Sequence, residues 1–183
     1  MWTEQTLVDP YKYYPNVFSI IERDKIVQEF IDLGEVDKQQ DKIFNRTNFR
    51  LKALSEKFDS KLKEFINDAN QQFNVELFDN QPFERWNLST YSKGGCIKTH
   101  NDVVRIQPGW QRKLTIIILI YKTCEGGELL IEKPDDLGKG GNLIEFNPGD
   151  VVVLPSYINH EVTEVTKGTR QSLTSWVLGP PYK

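Results

Sequence analysis

The chain has 183 residues and a mass of 21.3 kDa, the size of one ordinary domain, with 38% hydrophobic and 11% aromatic residues to fill a core. Twenty-three Lys plus Arg against twenty-six Asp plus Glu leave a formal charge of −3, which argues against a binder of nucleic-acid backbone with its basic excess. Two cysteines exclude a disulfide framework and fit a reducing compartment, and only two histidines, His100 and His160, are available to an imidazole-based metal site.

The opening segment, Met1-Trp2-Thr3-Glu4-Gln5, is polar and lacks the apolar stretch of a signal peptide. The longest apolar run, Ile116 to Ile120 with its neighbours, falls far short of the roughly 20 residues that a membrane helix needs. The expectation is a cytoplasmic chain whose partners include neither membrane nor nucleic acid. Ser19 and Glu22 have capping-box spacing, a hydroxyl followed three residues later by a carboxylate. Behind them Ile26, Val27, Phe30, Ile31 and Leu33 mark one face of a helix that Gly34 stops. A second helix is predicted from about Arg50 to Phe73, because Leu51, Leu54, Phe58, Leu62, Phe65, Ile66, Ala69 and Phe73 step by three or four.

From about residue 75 the period shortens. Strands are predicted at Val75–Phe78, Arg85–Tyr91, Cys96–His100, Leu114–Tyr121, Glu128–Glu132, Leu143–Phe146, Val151–Leu154 and Gln171–Leu178. Turn chemistry separates them at Gly94-Gly95, Gly126-Gly127, Gly138 to Asn142, Pro148-Gly149-Asp150 and Lys167-Gly168. Leu114 to Tyr121 is nearly all apolar, as in a strand buried on both faces. The expected fold is therefore α+β in a single domain over residues 1–183. Residues 1–74 form a mainly helical support, and residues 75–183 form a jelly roll (a double-stranded β-helix, cupin-like) with the helices packed on one sheet.

Chemistry concentrates at a few positions. His100 and Asp102 are two residues apart, so in extended chain their side chains point to the same side. With His160 they offer two neutral nitrogens and a carboxylate on one face of a metal, leaving three positions open, as in non-haem Fe(II) oxygenases. A lone histidine is more often structural, but here both histidines fall beside turns at strand ends. Arg170 lies ten residues past His160, across the turn Thr166-Lys167-Gly168-Thr169. Two readings stay open for it: an inward arginine awaiting a carboxylate, or an outward surface residue. Cys96 and Cys124 lack an obvious base and read as small, semi-buried residues. The loop Val103–Gly109 and the cluster Tyr11, Tyr13 and Tyr14 read equally as a cover over substrate and as ordinary surface.

His100-x-Asp102, His160 and Arg170 together resemble the 2-oxoglutarate/Fe(II)-dependent dioxygenases, specifically the prolyl 4-hydroxylase branch. The flanks carry the same resemblance: Glu125-Gly126-Gly127-Glu128-Leu129, Asn147-Pro148-Gly149-Asp150, and His160-Glu161-Val162 leading to Gly168-Thr169-Arg170. The resemblance implies that His100, Asp102 and His160 hold Fe(II) and that Arg170 pairs with the distal carboxylate of 2-oxoglutarate. It implies that Tyr91 and Thr174 line the cosubstrate pocket, and that Arg112 and Trp176 face the substrate. Leu119 departs from the family pattern, standing where several relatives place a second cosubstrate tyrosine. The implied reaction consumes O2 and 2-oxoglutarate, releases succinate and CO2, uses ascorbate as reductant, and hydroxylates a proline-containing peptide or protein. Two other readings remain: the same chemistry on a free amino acid or other small molecule, and a cupin-like metal- or sugar-binding module without turnover. Arg170 speaks against the last, which has no use for a carboxylate partner.

Overall fold

A computed structural model of the chain describes residues 9–36, 46–133 and 141–182. The segment Met1–Gln5 and most of the turn at Gly138 to Asn142 lie outside the described residues. Helix α1 (Ile20–Leu33) starts on a complete capping box, with Ser19 and Glu22 satisfying each other's backbone N–H groups, and it buries Ile26 and Phe30. Helix α2 (Glu56–Phe73) buries Phe58, Leu62, Ile66 and Ala69 and ends at Asn74, whose φ of 49° is left-handed. No helix is long and apolar enough to cross a membrane among the described residues.

The start of α2 corrects the expected helix from Arg50. Residues Arg46–Leu51 are a strand, β3, and not the first turns of a helix. Leu51 and Leu54 fall by coincidence on the helical stripe of α2, since both are buried in the same core while belonging to a strand and a connecting loop. The expected strand at Val75–Phe78 is also absent: these residues run irregularly along the core, where Val75 and Leu77 still pack.

The remaining strands are β1 (Lys12–Tyr14), β2 (Glu35–Val36), β4 (Trp86–Tyr91), β5 (Ile97–His100), β6 (Arg105–Gln107), β7 (Trp110–Lys122), β8 (Glu125–Gly126), β9 (Leu129–Ile131), β10 (Asn142–Ile144), β11 (Val151–Pro155), β12 (His160–Val162), β13 (Val165–Lys167) and β14 (Arg170–Gly179). A large sheet runs β1-β11-β7-β14-β4-β3-β2, with β6 paired to β7. A smaller sheet runs β10-β9-β12-β5, and β8 pairs with β13. Every pairing among the described strands is antiparallel, giving the α+β jelly roll that the strand spacing anticipates.

The continuous apolar run of β7 serves two cores at once. Leu114, Ile116, Ile118 and Ile120 join α1 and α2 in one cluster, while Ile117 and Leu119 face the small sheet in the other. On β11, Val151 and Val153 face the helices, and Val152 and Leu154 face the small sheet. The helices therefore seal one side of the large sheet, and its other side is left to build a cavity against the small sheet.

Candidate active site

Register brings the two imidazoles together. His100 closes β5, His160 opens β12, and the two residues are direct partners in that antiparallel pair. Directly opposed side chains in such a pair start from Cβ atoms about 4.5–5.5 Å apart, and the two rings lie 4.5 Å apart between centroids. Asp102 follows two residues after the strand, its backbone N–H donating to the Ser156 carbonyl at 2.8 Å. That bond aims the carboxylate back at the imidazoles. Nε2 of His100 is 3.6 Å from Asp102 Oδ1, and Nε2 of His160 is 3.4 Å from Asp102 Oδ2.

Hydrogen bonds decide the tautomers. Nδ1 of His100 is 2.8 Å from the Lys98 carbonyl and Nδ1 of His160 is 3.1 Å from the Ile158 carbonyl. A carbonyl only accepts, so each ring carries a proton on Nδ1 and turns Nε2 toward Asp102. Burial pushes the His160 pKa below the ordinary imidazole value, against the pull of the Asp102 charge, which keeps this ring neutral and available to a metal. Among the described residues these three form a group whose ligand atoms lie within 4.8 Å of one another. Their spacing suits an ion held about 2.0–2.2 Å from nitrogen and carboxylate oxygen after small side-chain adjustments.

A second layer fixes the carboxylate. The fully buried Thr115 donates to Asp102 Oδ2 at 2.9 Å, and Ser156 Oγ lies 3.1 Å from the Thr115 hydroxyl. Neither residue carried a signal in the sequence, because Thr115 sits inside an apolar strand and Ser156 inside a turn.

His100, Asp102 and His160 open into a cavity of about 530 Å³. Arg170 lines it while being only 1% exposed. Its Nη1 donates to Ser172 Oγ at 2.8 Å, and its guanidinium lies 5.3 Å from the centre of the Tyr91 ring. Its Nη2 is buried without a hydrogen-bond partner, and burial pulls the guanidinium pKa below its ordinary value. A buried cation with spare donors facing a cavity is the counterpart of an anion, and its planar fork matches a carboxylate. The surface reading of Arg170 is thereby set aside. Gly127 makes the room: its φ is +67°, and a Cβ there would stand 3.2 Å from Arg170 Cδ, 3.1 Å from Cys124 Sγ and 3.0 Å from Val165 Cγ2.

Tyr91, Thr174, Arg112 and Trp176 all line the same cavity. Arg112 is held by both oxygens of Glu84, at 2.5 and 3.0 Å, and its guanidinium carbon lies over Trp176 at 3.5 Å from the ring centre. Leu119, the residue that departs from the family pattern, is buried between the sheets and pairs with Ser172 in register. Sequence reasoning missed Arg46, Asn48 and Arg50, which reach the cavity from β3. The signal was present as polar/apolar alternation over Arg46–Leu51, but the helical spacing of Leu51 and Leu54 competed with it.

Comparison with known proteins agrees with this geometry. The profile of the 2OG-Fe(II) oxygenase superfamily matches residues 86–178. A PKHD-type hydroxylase of Parvibaculum lavamentivorans is 33% identical over 98 residues, covering 52% of this chain and 42% of that protein. Another, from Crocosphaera subtropica, is 40% identical over 63 residues, covering 34% of this chain and 27% of that one. The matches thus span less than half the length of these relatives. Among solved structures, a Pseudomonas putida prolyl-4-hydroxylase superposes with a TM-score of 0.67 at 16% identity, covering 94% of each chain. A viral collagen prolyl hydroxylase of Paramecium Bursaria Chlorella virus-1, solved with 2OG, also gives 0.67, at 20% identity over 95% of this chain and 97% of that one. At such identities the superpositions establish the shared fold.

Proposed function

The chain belongs to the 2OG-Fe(II) oxygenase superfamily, and on that footing we propose that it is an iron(II)- and 2-oxoglutarate-dependent hydroxylase of prolyl residues in a peptide or protein. One observation carries the reading: the converging Nε2 atoms and carboxylate share a single cavity with a buried arginine whose Nη2 has no partner. The donor set fits iron(II), and Arg170 fits the distal carboxylate of 2-oxoglutarate. The names of the PKHD-type and prolyl-4-hydroxylase relatives, and a Trichoplax adhaerens prolyl hydroxylase bound to a peptide fragment of hypoxia inducible factor, support a prolyl peptide as substrate.

In this reading His100, Asp102 and His160 hold the iron, with Thr115 and the Ser156 backbone orienting the carboxylate. Arg170 fixes the cosubstrate, with Tyr91 and Thr174 lining its pocket and Leu119 supplying apolar surface where a tyrosine would add a hydroxyl. Arg112 and Trp176 form the wall that meets the substrate. Bound iron and 2-oxoglutarate supply the oxidising chemistry: one oxygen atom of O2 enters the substrate C–H bond, the other enters succinate, and CO2 leaves. The protein's part is to place the reacting carbon and keep water from the site. Ascorbate serves as reductant, and the two free cysteines fit the cytoplasm.

The test incubates the protein with Fe(II), 2-oxoglutarate, ascorbate and a panel of prolyl peptides, and follows peptide mass. Gain of a single oxygen on proline supports the reading. Oxygen gain only on free proline would move the same chemistry to a small molecule, and no gain on any substrate would contradict it.

A further inference from the structure

The turn between β11 and β12, residues 156–159, orients two of the three side chains assigned to the metal. The Ser156 carbonyl accepts the Asp102 N–H at 2.8 Å, and Ser156 Oγ stands 3.1 Å from the Thr115 hydroxyl that donates to Asp102. Two residues on, the Ile158 carbonyl accepts from His160 Nδ1 at 3.1 Å. The Ile158 N–H closes the turn onto the Pro155 carbonyl at 3.0 Å. A constellation of ligands works only when it is held to about 0.5 Å by its supports, so what fixes this turn matters for the metal.

The turn is held from outside through Tyr182. The Ser156 N–H donates to the Lys113 carbonyl at 2.9 Å, and the Tyr182 hydroxyl donates to that same carbonyl at 3.4 Å; one carbonyl oxygen has lone pairs for both. The Tyr182 ring also meets that of Tyr157, in the turn itself, edge-on with centroids 5.9 Å apart. Lys113 in turn grips the segment that carries Tyr182. It is only 2% exposed, where an ammonium needs partners. Its Nζ lies 3.4 Å from the centre of the Tyr182 ring and donates to the Pro180 carbonyl at 3.0 Å. Gly179 leaves space for the lysine stem, since a Cβ there would stand 2.9 Å from Lys113 Cγ. The Tyr182 N–H donates to Gln111 Oε1 at 2.8 Å, tying the segment to the start of β7. Tyr157 and Tyr182 are half exposed, and among the described residues neither ring joins an apolar core.

We propose that Tyr182, gripped by the buried Lys113, is a positioning residue that clasps the 156–159 turn and thereby holds Asp102 and His160 in the geometry that binds a metal. The proposal rests on the reading that these two residues and His100 hold that metal. Tyr182 touches no ligand residue; it acts through the Lys113 carbonyl and the Tyr157 ring, one step behind the Thr115 and Ser156 contacts to Asp102.

The experiment titrates the full chain with Co(II) in place of iron, reading affinity by calorimetry and ligand geometry by the visible absorption of the bound ion. Binding by the unaltered protein tests the metal reading, and the variants test the clasp. Tyr182→Ala should weaken Co(II) binding by about three- to tenfold, below the 10–100-fold of residues that touch a ligand directly, and should shift the visible bands. Tyr182→Phe keeps the ring over Lys113 and against Tyr157, and should keep most of the affinity and the spectrum. Lys113→Met keeps the apolar stem without the ammonium and should match Tyr182→Ala. The two together should lose no more than the larger single loss, because residues acting as one unit are not additive. Tyr157→Ala, at a half-exposed position, tests the turn itself should Lys113→Met not fold, and should weaken Co(II) binding by a similar factor. Unchanged Co(II) affinity and spectrum in folded Tyr182→Ala or Tyr157→Ala, additive losses in the pair, or equal losses in Tyr182→Phe and Tyr182→Ala overturn the proposal. Absence of Co(II) binding by the unaltered protein overturns it together with the metal reading.

Discussion

The carboxylate of Asp102 is held from behind by the Thr115 hydroxyl and the Ser156 backbone, so its orientation depends on a residue that touches no ligand. Thr115→Val removes that hydrogen bond at nearly constant volume. Partners of this kind alter metal affinity by about 10–100-fold, so iron titration of the variant should fall in that range with the fold intact by circular dichroism. Unchanged iron affinity would remove Thr115 from the site. Gly127 gives a complementary case beside Arg170, the residue proposed to hold the cosubstrate. A methyl group there meets Arg170 Cδ and must adopt a positive φ, a strain of order 1–3 kcal/mol. Gly127→Ala should therefore weaken 2-oxoglutarate binding by about tenfold or more while leaving iron affinity alone, and equal losses for both ligands would contradict this assignment. Neither residue was legible as functional on its own. The histidines, Asp102 and Arg170 were read as a group because their spacing and flanks resemble a family motif, whereas a threonine in an apolar strand has an ordinary structural use.

At the scale of elements, α1 shows how local sequence reports local structure. Its capping box is visible as Ser19 and Glu22 and forms as expected. The structure adds what sequence spacing cannot contain: Glu22 also accepts from Lys61 of α2 at 2.9 Å. Chiefly that hydrogen bond, with the Ser19 backbone, lowers the Glu22 pKa from 4.5 to about 2. Because the folded value lies below the unfolded one, the pair stabilises the fold fully above pH 4.5, and its contribution is lost as pH falls toward 2. Glu22→Gln should remove that segment of the stability-versus-pH curve, by about 1 kcal/mol or less for a part-exposed pair, as read by thermal melts across the range. An identical acid slope in both proteins would contradict the link between α1 and α2. Strand β3 shows the opposite limit. Its side chains Arg46, Asn48 and Arg50 line a cavity, and a pattern reading based on water outside and an apolar core inside had no category for them. Only pairing with β4 reveals that Arg46 and Arg50 share a surface with Arg170.

Across the whole molecule, the fold follows from two apolar interfaces on one sheet: helices against one face, the small sheet against the other. The two periodicities in the sequence, 3.6 and 2, announce those layers, which is why the α+β jelly roll was readable without coordinates. Strand order was not, since β1-β11-β7-β14-β4-β3-β2 joins segments far apart in the chain and depends on long-range pairing. That order places Arg170 beside both β4 and β7, with His100, Asp102 and His160 lining the same cavity. The most direct test of the proposed activity is succinate formed from 2-oxoglutarate, counted against oxygen gained by a prolyl peptide, in the unaltered protein and in Asp102→Ala. The account predicts equal amounts of both products in the former and neither in the latter. Undiminished succinate and hydroxylated peptide from a folded Asp102→Ala protein would contradict it.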